Sequence, residues 1–201
     1  MNDSKLILPI LMHLLTLLLI MGGFQSHARE SAGKTIVALG TVNAENPEES
    51  RMLKRRSPVL GVDTVKTREN SRTQLRMVDG GLLSLKQLSQ LDIASYEFDK
   101  ATQQGSVAMS LVKGGLRTVT GILTDKTENY RLNTPVASIG VRGTHYSAQM
   151  EEGDLLLAVW DGAIDVAVET GTEAGTTLSL GDGEDYSYAA IDEEGNVTEF
   201  I

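Results

Sequence analysis

The sequence has no cysteine, few histidines and few aromatic residues, and each shortage excludes a class of chemistry. Without cysteine the chain cannot form a disulfide, a thiolate metal site, an iron–sulfur cluster or a cysteine nucleophile. Three histidines among 201 residues leave few candidates for a metal site or for the base of a Ser-His-Asp triad. Aromatic residues make up only 4% of the chain. We therefore predict no cofactor, and a fold held together by burial and hydrogen bonds.

Basic residues are outnumbered, and they are unevenly placed. The chain has 18 Lys and Arg against 27 Asp and Glu, a net charge of −9. Because it lacks the basic footprint of nucleic-acid-binding proteins, a nucleic-acid partner is not expected. Between Arg51 and Arg76 eight basic residues face two acidic ones, whereas from Gly143 onward 14 acidic residues occur with no Lys or Arg. This pattern is typical of a solvated acidic face, or of a polarised surface that steers a partner or a cationic ligand.

Residues 1–28 have the pattern of a cleavable secretory signal peptide. Lys5 precedes the apolar run 6–20, two glycines follow, and Ser26-His27-Ala28 offers small residues for cleavage after Ala28. The alternative is an uncleaved anchor, but the run is shorter than the ~20 apolar residues that span a bilayer comfortably. We expect an exported protein, periplasmic or secreted, with no stable membrane anchor after cleavage.

Beyond Ser31 the chain consists of short alternating runs separated by Gly, Asp-Gly or Asn turns, which is typical of an all-β domain. Only residues 84–91 and 97–104 look able to hold a helical turn, and residues 43–57 are predicted to be a loop. Turn signals at Asp79-Gly80-Gly81, Gly114-Gly115, Glu152-Gly153 and Asp161-Gly162 predict four hairpins. Further strands are predicted at residues 35–42, 73–78, 82–85, 130–133, 176–180, 186–191 and 197–201.

The fold class that follows is all-β: curved antiparallel sheets packed as a sandwich or a short β-solenoid-like domain, preceded by the signal peptide. No fixed repeat separates these two arrangements. The predicted organisation is a signal peptide (1–28), an N-terminal strand and basic polar loop (29–59), a main β domain (60–168) and an acidic β-hairpin extension (169–201).

Five segments together carry a family resemblance. They are residues 61–67 (GVDTVKT), 74–85 (QLRMVDGGLLSL), 113–121 (KGGLRTVTG), 132–144 (LNTPVASIGVRGT) and 161–164 (DGAI). In this order they resemble the FecR-type domain, over about half of the chain. The TP-x-A-x-IG-x-RGT string is the most specific part.

The resemblance implies a periplasmic signalling domain, since the family takes its name from an inner-membrane regulator of ferric-citrate uptake whose cytoplasmic tail controls a sigma factor. Here only residues 1–5 precede the apolar run. The resemblance therefore implies a standalone exported β domain without the sigma-regulator tail.

The motif residues are interpreted as structural rather than as a binding site. Pro135 predicts an edge strand or the end of a strand, because it fixes φ and lacks an amide donor. Gly140 and Gly143 suit left-handed or closely approached backbone on either side of Arg142. Arg142 is interpreted as a buried staple for loop carbonyls or for a carboxylate such as Asp63 or Asp79, with a ligand anchor as the alternative. The complete set of motif residues is Asp79, Gly80, Thr134, Pro135, Gly140, Arg142, Gly143 and Thr144.

Three further features are interpreted as structural and not as functional sites. His145 is the one histidine left after signal cleavage and is predicted to be an exposed strand residue, since no G-x-S-x-G elbow supports a nucleophile. Residues 181–185 resemble half a calcium loop but lack its ligand frame. Trp160 is assigned to the edge of the core rather than to a sugar-binding platform. No catalytic, metal or cofactor-binding residue is predicted.

The resulting functional prediction is a non-enzymatic exported binding or sensing module that contacts an envelope protein or glycan. Two alternatives remain: a carboxylate-dependent hydrolase or carbohydrate-active β-protein, and a structural scaffold of the envelope.

Overall fold

The computed structural model describes residues 31–123 and 129–200, so the predicted signal peptide lies outside the described residues. No helix in this described part is long and apolar enough to cross a membrane. Every regular element of appreciable length is a strand, and the all-β prediction is confirmed. The strands are β1 (Ser31–Leu39), β2 (Val42–Glu45), β3 (Ser50–Met52), β4 (Pro58–Leu60), β5 (Thr64–Thr67), β6 (Arg72–Met77), β7 (Leu82–Leu85), β8 (Gln90–Asp99), β9 (Gln104–Val119), β10 (Tyr130–Asn133), β11 (Ala137–Glu151), β12 (Asp154–Val168), β13 (Thr177–Gly181), β14 (Tyr188–Ile191) and β15 (Val197–Phe200).

The strands form one continuous sheet. Its main path is β15-β14-β12-β11-β10-β9-β7-β6-β1-β4, and the branch β3-β2-β5-β8 joins it at β9, while β13 pairs with β12. All pairs are antiparallel except β9 with β10, which run parallel. The sheet is therefore mixed, where the sequence predicted antiparallel pairing throughout.

The open sheet surrounds a single core, and three of its long strands bend. Each contains a glycine with positive φ: Gly114 (+78°) in β9, Gly143 (+58°) in β11 and Gly162 (+72°) in β12. Before its bend β9 pairs with β8 and β10, and after it with β7 and β11. The strands paired with the first part of β9 and those paired with its second part share a single core. The core includes Leu91, Met109 and Leu132 on the first side and Leu75, Leu83 and Leu116 on the second.

Two of the four predicted hairpin turns are wrong. Gly114-Gly115 lies inside β9 and Asp161-Gly162 lies inside β12. At each position the strand bends but does not reverse, as a hairpin would. The reason is that each flanking run pairs with other strands and not with its neighbour in sequence. The other two are confirmed: Gly80 has φ +92° in the turn between β6 and β7, and Glu152 and Gly153 have φ of +52° and +101° and join β11 to β12.

The predicted helical turns are also wrong. Residues 84–91 contain the end of β7, a turn and the start of β8, and residues 97–104 contain the turn between β8 and β9. The predicted loop at residues 43–57 holds most of the short β2–β3 hairpin. Its basic character is partly neutralised, because the Arg51 guanidinium pairs with the fully buried carboxylate of Asp63.

The strands within residues 169–201 continue the same sheet. β13 and β14 both pair with β12, along its second and first halves respectively, and β15 pairs with β14. The acidic end of the chain thus covers one edge of the fold.

Candidate functional site

The proline of the motif closes a strand end, as predicted. β10 ends at Asn133, two residues before Pro135. The Thr134 hydroxyl donates to the Ala137 carbonyl and accepts from the Ala137 amide, both at 3.0 Å. β10 itself is not an edge strand, because it pairs with β9 on one side and β11 on the other. Gly140 of β11 pairs with Arg131 on β10 and with Asp165 on β12, and it has no positive φ.

Gly143 and Thr144 sit where β11 and β12 bend together. The Thr144 hydroxyl donates to the Ala163 carbonyl at 2.8 Å, and the Thr144 amide donates to the Thr120 hydroxyl at 2.8 Å. A Cβ on Gly162 would lie 2.0 Å from the Gly143 carbonyl oxygen. Only glycine at position 162 allows this approach, and Gly143 faces it with a positive φ of its own, so the two glycines together shape the bend.

Arg142 does not act as a buried staple. Its side chain is 42% exposed and pairs with Asp165 at 3.2 Å and with Glu184 at 2.9 Å. Because Val141 points into the core, alternation along β11 turns Arg142 outward. The predicted carboxylates have other partners, Asp63 pairing with Arg51 and Asp79 accepting from Tyr96.

Asp79 belongs to a buried polar cluster with three tyrosines. Its Oδ1 accepts from the Tyr96 hydroxyl at 2.8 Å and from the Gly81 amide at 3.1 Å, next to the turn where Gly80 has φ +92°. Burial raises the pKa of Tyr96, and the nearby Tyr130 and Asp79 raise it further. Burial likewise raises the pKa values of Tyr130 and Tyr146. All three tyrosines therefore stay neutral inside the core at physiological pH.

An exposed cluster on the outside of the sheet is the feature that sequence reasoning missed. Arg117 Nε donates to His145 Nε2 at 2.8 Å. The Arg117 guanidinium lies 4.8 Å from the centroid of the Trp160 ring, and the His145 and Trp160 rings are 5.1 Å apart. His145 is thus on the outer side of its strand, but it is half-buried where the sequence predicted an exposed residue, and it contacts Arg117 and Trp160.

The assignment of Trp160 to the core edge is wrong, since the residue is 49% exposed. Leu155, Leu157 and Val159 of β12 are buried, so strict alternation places residue 160 on the opposite side. That signal was present in the sequence. The approach of Arg117 was not, because it depends on the register between β9 and β11.

Further exposed apolar residues lie on the same side of the sheet. Arg117 is level with Ser147, Ala158, Tyr188 and Phe200 on successive strands, as the pairing registers show. The small residues Ser147 and Ala158 thus lie between the Arg117–His145–Trp160 cluster and the aromatic pair of Tyr188 and Phe200. We call this surface the outer face, and define it by Arg117, His145, Ser147, Leu156, Ala158, Trp160, Tyr188 and Phe200.

The outer face carries recognition groups rather than a reactive constellation. Arg, Trp and Tyr are the residue types that dominate binding energy in protein interfaces. Among the described residues no cluster of His, Asp and Glu could hold a metal ion. In the predicted half calcium loop, Asp182 accepts from the Gly162 amide at 3.0 Å and Glu184 pairs with Arg142.

Comparison with known proteins agrees with this architecture. The family model described as FecR protein matches residues 63–165, just over half of the chain. The chain belongs to the FecR family. No curated protein matches it.

Two crystal structures of a "putative anti-sigma factor" from Parabacteroides distasonis ATCC 8503 have a similar fold. Both give a TM-score of 0.51, with 14% and 11% sequence identity, over 68% of this chain. The matched part spans 58% of the Parabacteroides protein. At this identity the likeness is one of fold.

Proposed function

We propose that this chain is a non-enzymatic binding and sensing module of the cell envelope, which acts by docking a protein partner on its outer face. The observation that carries the proposal is the Arg117–His145–Trp160 cluster. A tryptophan that is 49% exposed gives up favourable burial, and a partner that covers it would recover that free energy.

The shape and chemistry of the outer face fit a protein surface. Ser147 and Ala158 form a low floor between Trp160 on one side and Tyr188 and Phe200 on the other, which are 38% and 46% exposed. Contiguous apolar surface of this kind, rimmed by polar groups, is typical of interaction sites. Arg117 is oriented by two contacts before any partner arrives, which lowers the entropy lost on binding.

Two observations support a regulatory role in the envelope. The chain belongs to the FecR family, and the similar structures are described as those of a "putative anti-sigma factor". The signal-peptide pattern of residues 1–28 supports export to the periplasm or beyond.

Site-specific photo-cross-linking tests the proposal. A photo-reactive amino acid at Ser147 on the outer face is compared with one at Ser110, a half-buried residue on β9 before its bend. In intact cells we expect one discrete protein adduct from position 147, its loss in a Trp160→Ala background, and no adduct from position 110. Equal adducts from both positions, or an adduct that survives Trp160→Ala, would contradict docking on the outer face.

A glycan is the second candidate partner, because an exposed indole ring also offers a stacking surface for a sugar. Calorimetric titration of envelope polysaccharide fragments into wild type and Trp160→Ala distinguishes this candidate, since only a glycan site would give heat that depends on Trp160.

The two other functional classes have direct tests as well. A hydrolase using paired carboxylates is tested by a broad hydrolase screen. Asp165 and Glu184, the carboxylates that contact Arg142 of the motif, are both engaged in its ion pairs. A scaffold role predicts constitutive recovery of the chain with a large envelope assembly in pull-down experiments.

A further inference from the structure

A basic cleft lies at the start of β1, away from the Arg117–His145–Trp160 cluster. It has a volume of about 360 Å³, and the charged side chains that line it are Lys34, Arg76 and Lys100. The rest of the lining is contributed by Ser31, Gly33 and residues 77, 78 and 80. No acidic residue of the described chain lines this cleft.

Lys34 and Arg76 are forced close together by the fold. They are direct partners in the antiparallel pairing of β1 with β6. Both point outward, because their neighbours Gly33, Thr35, Leu75 and Met77 are buried. Side chains in this position have Cβ atoms about 4.5–5.5 Å apart, and like charges there destabilise the pair. Lys100, in the turn after β8, adds a third positive charge to the same cleft.

None of these three cations is neutralised by the described part of the protein. Arg51, Lys66 and Arg142 all have carboxylate partners, whereas Lys34, Arg76 and Lys100 have no ion pair among the residues of ranges 31–123 and 129–200.

The described carboxylates nearest to Arg76 and Lys100 in sequence are engaged elsewhere. Asp79 accepts from Tyr96 in the core, and Asp99 accepts from the Ala101 amide at 2.7 Å within its own turn. Within the described part of this acidic chain, with its net charge of −9, the cleft thus keeps an uncompensated positive charge.

We propose that this cleft binds an anionic group, a phosphate or a carboxylate, held by Lys34, Arg76 and Lys100. The planar guanidinium of Arg76 supplies two parallel donors, and the two ammonium groups supply point charges from the flanks. A bound anion removes the repulsion between Lys34 and Arg76. The proposal is independent of docking on the outer face, since the two surfaces share no residue.

The test uses the full chain purified after export, with inorganic phosphate, an oligogalacturonate and a neutral oligosaccharide of equal length as probes. Arg76→Gln is compared with Arg72→Gln, which removes the same charge from the same side of the same strand, opposite Leu39 and outside the cleft. Binding is measured by calorimetry and by the rise in Tm that a ligand of the native state produces.

We expect Arg76→Gln to weaken anion binding about tenfold, because one charge-assisted contact is lost, while Arg72→Gln binds as wild type. Without ligand, Arg76→Gln should melt no lower than wild type, since a repulsive pair is removed. Binding of phosphate as well as oligogalacturonate supports a site for free small anions, and binding of oligogalacturonate alone supports an anionic glycan. Equal losses in the two variants, unchanged binding in Arg76→Gln, or no binding of either anion at low salt would overturn the proposal.

Discussion

The paired bend of β11 and β12 makes Gly162 the position where one added methyl group should be most informative. Gly162 has φ +72°, and a Cβ there would meet the Gly143 carbonyl oxygen at 2.0 Å. Left-handed backbone costs a non-glycine residue about 1–2 kcal/mol, and the backbone shift that relieves the overlap costs about 1–3 kcal/mol more. Gly162→Ala should therefore lower the free energy of unfolding by roughly 2–5 kcal/mol, a large part of the 5–15 kcal/mol typical of native proteins.

Gly175→Ala is the matched control. Gly175 also has positive φ, +89°, but a Cβ there meets nothing within 4 Å. It should show the conformational cost alone, about 1–2 kcal/mol. Urea unfolding followed by circular dichroism measures both free energies, and in a thermal melt Gly162→Ala should lose roughly 4–20 °C. If the two variants are equally stable, close packing of the two bends adds nothing to the conformational cost of the substitution at Gly162.

Three further predictions rest on the core and the motif. Tyr96→Phe should cost about 1–3 kcal/mol, because it leaves the buried Asp79 carboxylate short of a donor, whereas Tyr146→Phe should be neutral or stabilising in urea unfolding, because the Tyr146 hydroxyl has no hydrogen-bond partner in the described structure. Arg142→Ala should change the free energy of unfolding by less than about 1 kcal/mol, since its ion pairs are solvent-exposed. A loss of several degrees in Tm would instead support the buried structural role that the sequence predicted for Arg142. Stability should fall as pH rises above about 10, where unfolded tyrosines ionise. Burial holds the pKa values of Tyr96, Tyr130 and Tyr146 above that range. Above about pH 10 the unfolded state therefore binds fewer protons than the native state, and the free energy of unfolding decreases. Urea titrations at increasing pH that show no such decrease would contradict this linkage.

Alternation of apolar and polar residues was sufficient to predict the class of the fold. Residues 73–78 and 82–85 read as strands with Asp79-Gly80-Gly81 as the turn between them, and the structure places β6, β7 and a positive-φ Gly80 there. The same period also determines which side chains point outward. Applied strictly to β12 it places Trp160 on the outside, so the error at that residue came from the interpretation and not from the pattern.

What alternation leaves open is the partner of each strand. Gly114 and Gly162 have the local signature of a hairpin turn, yet each lies within a strand that bends and continues. A glycine with positive φ is compatible with both outcomes, and the choice depends on which strands the flanking runs pair with.

The composition of the candidate sites also depends on strand pairing. Alternation turns Arg142 outward, but its partners Asp165 and Glu184 lie 23 and 42 positions further along the chain. Arg117 reaches His145 and Trp160 through the register of β9 with β11, and Lys34 meets Arg76 through that of β1 with β6. The sequence by itself determined an all-β chain and the outward side of its strands, because side-chain direction is a local property of extended backbone. Tertiary structure alone decided which outward side chains become neighbours, because strand pairing joins residues that are far apart in the chain.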